Sequence, residues 1–148
     1  MTPIRRQTIT GLKPGDSFAV RRTFTEADMR AFAAISKDDN PVHFDDRFAL
    51  SKGFSGRICH GLLVGSLLTE IGGQIGWLAS GMTFRFKKPV YFGDTVTCRF
   101  TIGDIDADRK TRADVLFTNQ RREIVIEATI RGILPNRAER ALMAETMR

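Results

Sequence analysis

At 148 residues, with 42% hydrophobic and 27% charged side chains, the chain has the length and mix of one globular domain and is neither low-complexity nor fibrous. Its 23 lysines and arginines against 17 acids give a net charge of +6, which favours an anionic partner without choosing among nucleic acid, acidic lipid and a phosphorylated small molecule. Cys59 and Cys98 are too few and too far apart for a finger-type metal site, so no metal is expected and both read as small apolar residues.

The opening MTPIRRQTITGLKPGD has no apolar run to serve as a signal core, and a cytoplasmic location is expected. After the Pro14-Gly15-Asp16 turn, Phe18, Val20 and Phe24 alternate with polar residues in the manner of a half-buried strand. Thr25 and Asp28 form an N-cap pair, and Met29, Phe32, Ala33 and Ile35 recur at helical spacing, predicting a helix from about Glu26 to Ser36. Asn40-Pro41 ends that run, because proline lacks a donor and pushes its predecessor into extended geometry, leaving Lys37 to His43 as a loop. Asp45 caps a short helix through about Leu50, and Ser51 to Gly56 has the residues of another loop.

From Gly61 to Leu78 the apolar residues fall at helical spacing and widen almost to the full circumference, predicting a central helix. Glu70, Gln74 and several glycines make it a poor membrane span, so no membrane partner is expected. Gly61, Gly65, Gly72, Gly73 and Gly76 each cost about 1 kcal/mol relative to alanine inside a helix. Something must therefore approach the helix backbone closely, most simply a sheet wrapped around it.

The remainder reads as strands: Thr83 to Phe86, Val96 to Ile102, Ala113 to Phe117 and Ile124 to Ile130, separated by short turns. Short connections favour antiparallel neighbours, so the fold expected is α+β, a long central helix wrapped by a curved antiparallel sheet, in one domain with its core over about 17–134. Asn136 to Met147 could add a terminal helix.

Two stretches could carry chemistry. In Ser36-Lys37-Asp38-Asp39-Asn40-Pro41-Val42-His43 a carboxylate and an imidazole lie five residues apart across a proline turn that could bring both to one pocket. Asp38, beside a helix C-terminus, would carry its charge against the macrodipole. The same residues could equally be ordinary turn formers with His43 at the surface. In Arg57-Ile58-Cys59-His60-Gly61-Leu62-Leu63 a glycine opens an apolar helix, whose first amides suit a developing oxyanion or merely a cap. Ser66, one turn on from Leu62, could donate a hydrogen bond into a pocket or simply pack. The basic residues are spread over several strands, with no basic tract interleaved with aromatics and one Trp and one Tyr, so a nucleic-acid partner is not expected.

Taken together, Asp38, Asn40-Pro41 and His43, Ile58 to Leu63, and Phe84 to Asp94 resemble the MaoC-like (R)-specific enoyl-CoA hydratases and dehydratases over roughly Thr23 to Leu134. The resemblance implies the hot-dog fold, a hydro-lyase acting on 2-enoyl or 3-hydroxyacyl thioesters, and Asp38 and His43 as the acid/base pair. It also implies the Gly61 amide as oxyanion donor, Ser66, Asn40 and His60 near the substrate, and a homodimer or larger even assembly. No cofactor is implied beyond coenzyme A as part of the substrate, with acyl carrier protein as the alternative handle. The segment between Ile71 and Gly81 is short for the family pattern. A hot-dog acyl-CoA thioesterase and a non-catalytic acyl-CoA binding module are the competing readings.

Overall fold

The computed structural model describes residues 1–146. Thr2 opens helix α1 (Pro3–Thr10) by accepting the Arg5 amide, and Pro3 stands in the first turn, where its missing N–H is no loss. This helix is not among the expected elements. Thr2-Pro3 is a start signal, but no apolar stripe follows it, because Thr8 is the helix's one buried residue. The first strand, β1 (Ser17–Thr23), and helix α2 (Glu26–Ser36) follow as expected, and the Thr25–Asp28 capping box is formed in both directions. Lys37 then takes a left-handed conformation (φ 59°) and turns the chain out of the helix. A single 3-10 turn, Pro41–His43, and helix α3 (Asp46–Ser51), capped by Asp45, complete the excursion.

The expected Gly61–Leu78 helix is shorter and is interrupted. It comprises α4 (Gly61–Gly65) and α5 (Leu67–Ile75), joined through Ser66. Gly76 ends it in a left-handed cap (φ 67°), and Leu78 already belongs to strand β2 (Leu78–Phe86). The helical run of apolar residues had been extended through a cap that only Gly76 marked. Strands β3 (Thr95–Ile105), β4 (Lys110–Thr118) and β5 (Ile124–Ile133) and helix α6 (Arg137–Glu145) follow. The helix expected at the C-terminus was drawn to Met147, which lies outside the described residues.

All neighbouring strands are antiparallel, in the order β1-β3-β4-β5-β2. Alternation places Val96, Cys98, Phe100 and Ile102 of β3, Ala113, Val115 and Phe117 of β4, and Ile126, Ala128 and Ile130 of β5 on one buried face. Against that face α5 packs Leu67, Leu68, Ile71 and Ile75, all 4% exposed or less. Trp77, just after α5, meets Phe100 edge-on at 5.3 Å.

Leu62, Ser66, Thr69, Glu70 and Gly73 remain exposed, so the helix lies on one face of the sheet and is not enclosed around its whole circumference. Two of the five glycines are explained by the close approach of aromatic rings from β2. The Phe86 ring lies over Gly61, where a Cβ would come within 2.6 Å of it, and the Phe84 ring lies over Gly65, where a Cβ would come within 3.0 Å. Four residues of helix and two of strand both advance by about 6 Å, so stacked rings two apart on β2 match glycines four apart on the helix.

Candidate active site

The loop after α2 is shaped by its own short polar side chains. Ser36 Oγ accepts the Asp38 amide at 3.2 Å, Asp38 Oδ1 accepts the Asn40 amide at 3.2 Å, and Asn40 Oδ1 accepts the Val42 amide at 3.1 Å. These bonds turn Asp38 and His43 toward each other. Asp38 Oδ2, free of the loop's bonds, stands 3.8 Å from His43 Nε2. The gap is too long for a direct hydrogen bond and close enough for both atoms to hold one small molecule.

The protonation of both histidines follows from their partners. His43 Nδ1 lies 2.8 Å from the Ile58 carbonyl, and a carbonyl only accepts, so Nδ1 carries the hydrogen and Nε2 presents a lone pair to Asp38. His60 Nε2 lies 3.0 Å from the Asp38 carbonyl and must likewise carry its hydrogen, leaving Nδ1 bare, buried and without a partner. The two imidazoles stack, with centroids 3.7 Å apart and planes 26° from parallel.

Burial of the ring holds the His43 imidazole below its usual value, and His60 beside it pushes the same way, against the opposing Ile58 carbonyl and Asp38 carboxylate. The unfolded chain therefore binds this proton before the folded one does. Stability is lost as pH falls from about 6.5 toward the folded value, a change that urea titrations across that range would follow.

Asp38, His43, His60 and Gly61 all line a cavity of about 650 Å³, whose remaining wall is largely apolar and includes Phe32 and Phe86. Gly61 begins α4 without any side-chain cap, so its first-turn amides are free of the protein's own side chains. Lys87 and Lys88 stand at the same cavity, Lys88 paired with Glu123. Cys59 also lines it, but burial, with Asp94 nearby, pushes its thiol up to about 12, which removes the thiolate a nucleophile would need.

Two of the expected residues lie elsewhere. Asn40 is exposed and spends its side chain on the loop. Ser66 is exposed at the junction of α4 and α5, with its hydroxyl given to the Leu63 carbonyl at 2.6 Å. Neither is among the residues lining the cavity. Phe86 was not anticipated, although the alternation Phe84-Arg85-Phe86 opposite two glycines four apart was a readable sign of it. The bond from His60 to the Asp38 backbone, 22 residues away, left no such sign.

A carboxylate and an imidazole facing each other on a loop, a helix start without a side-chain cap and an antiparallel sheet over a helix fit the hot-dog class of enzyme, and comparison with known proteins gives the family. Residues 10–123 match the MaoC like domain, and the chain belongs to that family. It is 33% identical over 138 residues to a mitochondrial 3-hydroxyacyl-[acyl-carrier-protein] dehydratase of Arabidopsis thaliana, covering 86% of this chain and 80% of that one. It is 35% identical over 102 residues to an (R)-specific enoyl-CoA hydratase of Aeromonas caviae, covering 66% and 76%. The solved (R)-hydratase of A. caviae involved in PHA biosynthesis superposes with a TM-score of 0.79 at 30% identity, over 84% of this chain and 98% of that one.

Proposed function

We propose that this hydro-lyase adds water across the double bond of a 2-enoyl thioester to give the (R)-3-hydroxyacyl thioester, and runs the reverse dehydration. One observation carries the reading: Asp38 Oδ2 and His43 Nε2 are two acceptors facing each other across 3.8 Å. A single water can donate one O–H to each, which leaves its lone pairs for carbon. In the addition, the water oxygen bonds to C3, one water proton passes to the pair, and a proton is delivered to C2 as the C2–C3 double bond is consumed. The thioester oxygen gathers charge on the way, and the Gly61 amide at the start of α4 is the donor placed to hold it.

The thioester's handle is coenzyme A or an acyl carrier protein. Both present phosphate, which suits a chain of net charge +6 and Lys87, which lines the cavity. The chain's match to both a CoA hydratase and an acyl-carrier-protein dehydratase supports the shared thioester.

The test is the loss of enoyl absorbance on mixing the protein with crotonyl-CoA, followed by resolution of the product's configuration. Loss giving the (R)-3-hydroxy product establishes the reading. Release of free thiol would replace it with hydrolysis, and no change with any enoyl length would leave a binding module. Because His43 acts as a neutral base and its imidazole is held below the usual value, the acid limb of kcat/KM should have its midpoint below pH 6.5. A midpoint above 6.5 in a pH–rate profile would contradict the neutral His43.

We propose further that two chains pair through β2. This edge strand leaves Met82 44% and Phe86 55% exposed on the face that elsewhere is buried, with Leu62 58% exposed on the adjoining helix. An open apolar edge of this kind needs a cover. Light scattering should return about twice the chain mass of 16.6 kDa. A mass of one chain at micromolar concentration would refute it.

A further inference from the structure

The buried histidine that the proposed reaction leaves without a step is His60, 1% exposed and, with His43, one of the chain's two imidazoles. It touches both members of the water-holding pair and neither of their reacting atoms. Its Nε2–H meets the Asp38 backbone carbonyl at 3.0 Å, and its ring face meets the His43 ring at 3.7 Å between centroids. Phe32 packs on its ring at 5.0 Å and Phe44 at 6.2 Å, so the imidazole has little room to turn. His60 itself is fixed to the fold by its place as the residue before α4, the helix that carries the Gly61 amide.

We infer that His60 is a positioning residue that sets the 3.8 Å separation of Asp38 Oδ2 and His43 Nε2 and registers both against the Gly61 amide. The three parts of the site come from two stretches of chain, the loop over 36–43 and the start of α4, and this one side chain contacts or adjoins all of them. The loop's own hydrogen bonds fix its turn but not its distance from the helix. The stacked ring fixes the plane of His43, and the Nε2–H fixes the height of Asp38. The role requires His60 to be neutral with its hydrogen on Nε2. Protonation would put a second N–H at Nδ1, where the buried atom has no acceptor, and would set a charge against the His43 face. The groups facing the ring pair are Asp38 from the loop and the Ile58 carbonyl before α4; the aromatic neighbours Phe32 and Phe44 carry no charge.

This inference rests on the hydratase reading for its effect on turnover, but its structural content can be read without turnover. Two substitutions separate the two contacts. His60→Gln keeps an N–H donor near the position of Nε2 and loses the stacked ring; His60→Phe keeps the ring and loses the donor. Misplacement of the pair should act on kcat more than on KM, because the apolar part of the cavity wall keeps its own residues. The expected result is a fall in kcat of at least tenfold for His60→Phe with KM within about threefold, and a kcat for His60→Gln recovered to within about fivefold of the wild type. Equal turnover in all three proteins, or a loss confined to KM, would overturn the role.

Nitrogen-15 labelling of histidine in the untagged full chain gives the second readout, since only two imidazoles contribute. One ring should show its hydrogen on Nδ1 and the other on Nε2 at pH 7, with the Nε2–H signal lost in both variants. A wild-type spectrum with both hydrogens on Nδ1, or a charged His60, sinks the inference whether or not the protein turns over. Failure of the wild type to hydrate any enoyl thioester would instead sink the reading beneath it while the spectra still judge the contacts.

Discussion

Replacing Asp38 with asparagine should slow hydration of crotonyl-CoA by between about 10²- and 10⁴-fold, the range over which a positioned acid/base group contributes. The substitution keeps shape and the loop. Asp38 Oδ1 accepts the Asn40 amide, and an asparagine oxygen accepts it equally well. What changes is Oδ2, an acceptor 3.8 Å from the His43 lone pair, which becomes an NH₂ donor aimed at that lone pair. Two acceptors that could share one water become a donor and an acceptor, and the water loses one of the two groups that would take its protons. The Asp38 side chain is 47% exposed and outside the core, so the thermal midpoint should stay within about 2 °C of the wild type. Turnover above a tenth of the wild-type rate would remove Asp38 from the mechanism. A large drop in midpoint would mean that the loss reported unfolding and not chemistry.

Ile71→Ala should have the largest effect on stability. Ile71 is fully buried on α5, between the helix and the sheet face formed by β1 and β3. Deleting its three outer carbons removes their transfer free energy and opens a cavity that a strand-backed site closes only in part, for a cost of about 2–5 kcal/mol. For a domain of this size that is a fall in midpoint of roughly 4–20 °C, measurable by calorimetry or by the urea midpoint at constant slope. A loss under 1 kcal/mol would mean that the helix is less firmly seated than its burial implies. Because Gly61 begins the same helical stretch, activity at low temperature should survive the substitution better than stability does.

Most of the framework could be read before any coordinates, for identifiable reasons. The strands β3 and β4 alternate in burial, and β5 does so from Ile126 on, because one face meets the helix, and α2 is marked by its Thr25–Asp28 capping box. The end of the helix after Ile75 was misread because Trp77 and Leu78 continue the apolar run, and the left-handed Gly76 was one glycine among five. Helix α1 was missed for the opposite reason: its sequence has a start signal but almost no buried face. Strand β2 was recognised only at its far end, since the bulge at Ser80 breaks the alternation and the strand is nearly all exposed.

In the site, Asp38, His43 and Gly61 were expected at one pocket from the family resemblance, and all three line the same cavity. Asn40 and Ser66 were expected beside the substrate and are found spending their side chains on backbone carbonyl and amide groups nearby. Short polar residues compete for local backbone in this way, and spacing alone does not distinguish that use from a contact with substrate. The cavity wall was the least legible part. Phe32 comes from α2, Phe86 from the end of β2 and Val90 from the connection after it, and only the closed fold shows that they share a surface.

The loop that carries Asp38 and His43 is held by bonds between residues two apart, from Ser36 to Asp38, Asp38 to Asn40 and Asn40 to Val42. Its outline is therefore written in eight consecutive residues, while the apolar wall is assembled from distant ones. Heredity can act on the two separately. A point change at Phe86 would reshape the cavity without touching a hydrogen bond of the loop, so under the proposed function a lineage could drift from one acyl length to another with Asp38 and His43 unchanged.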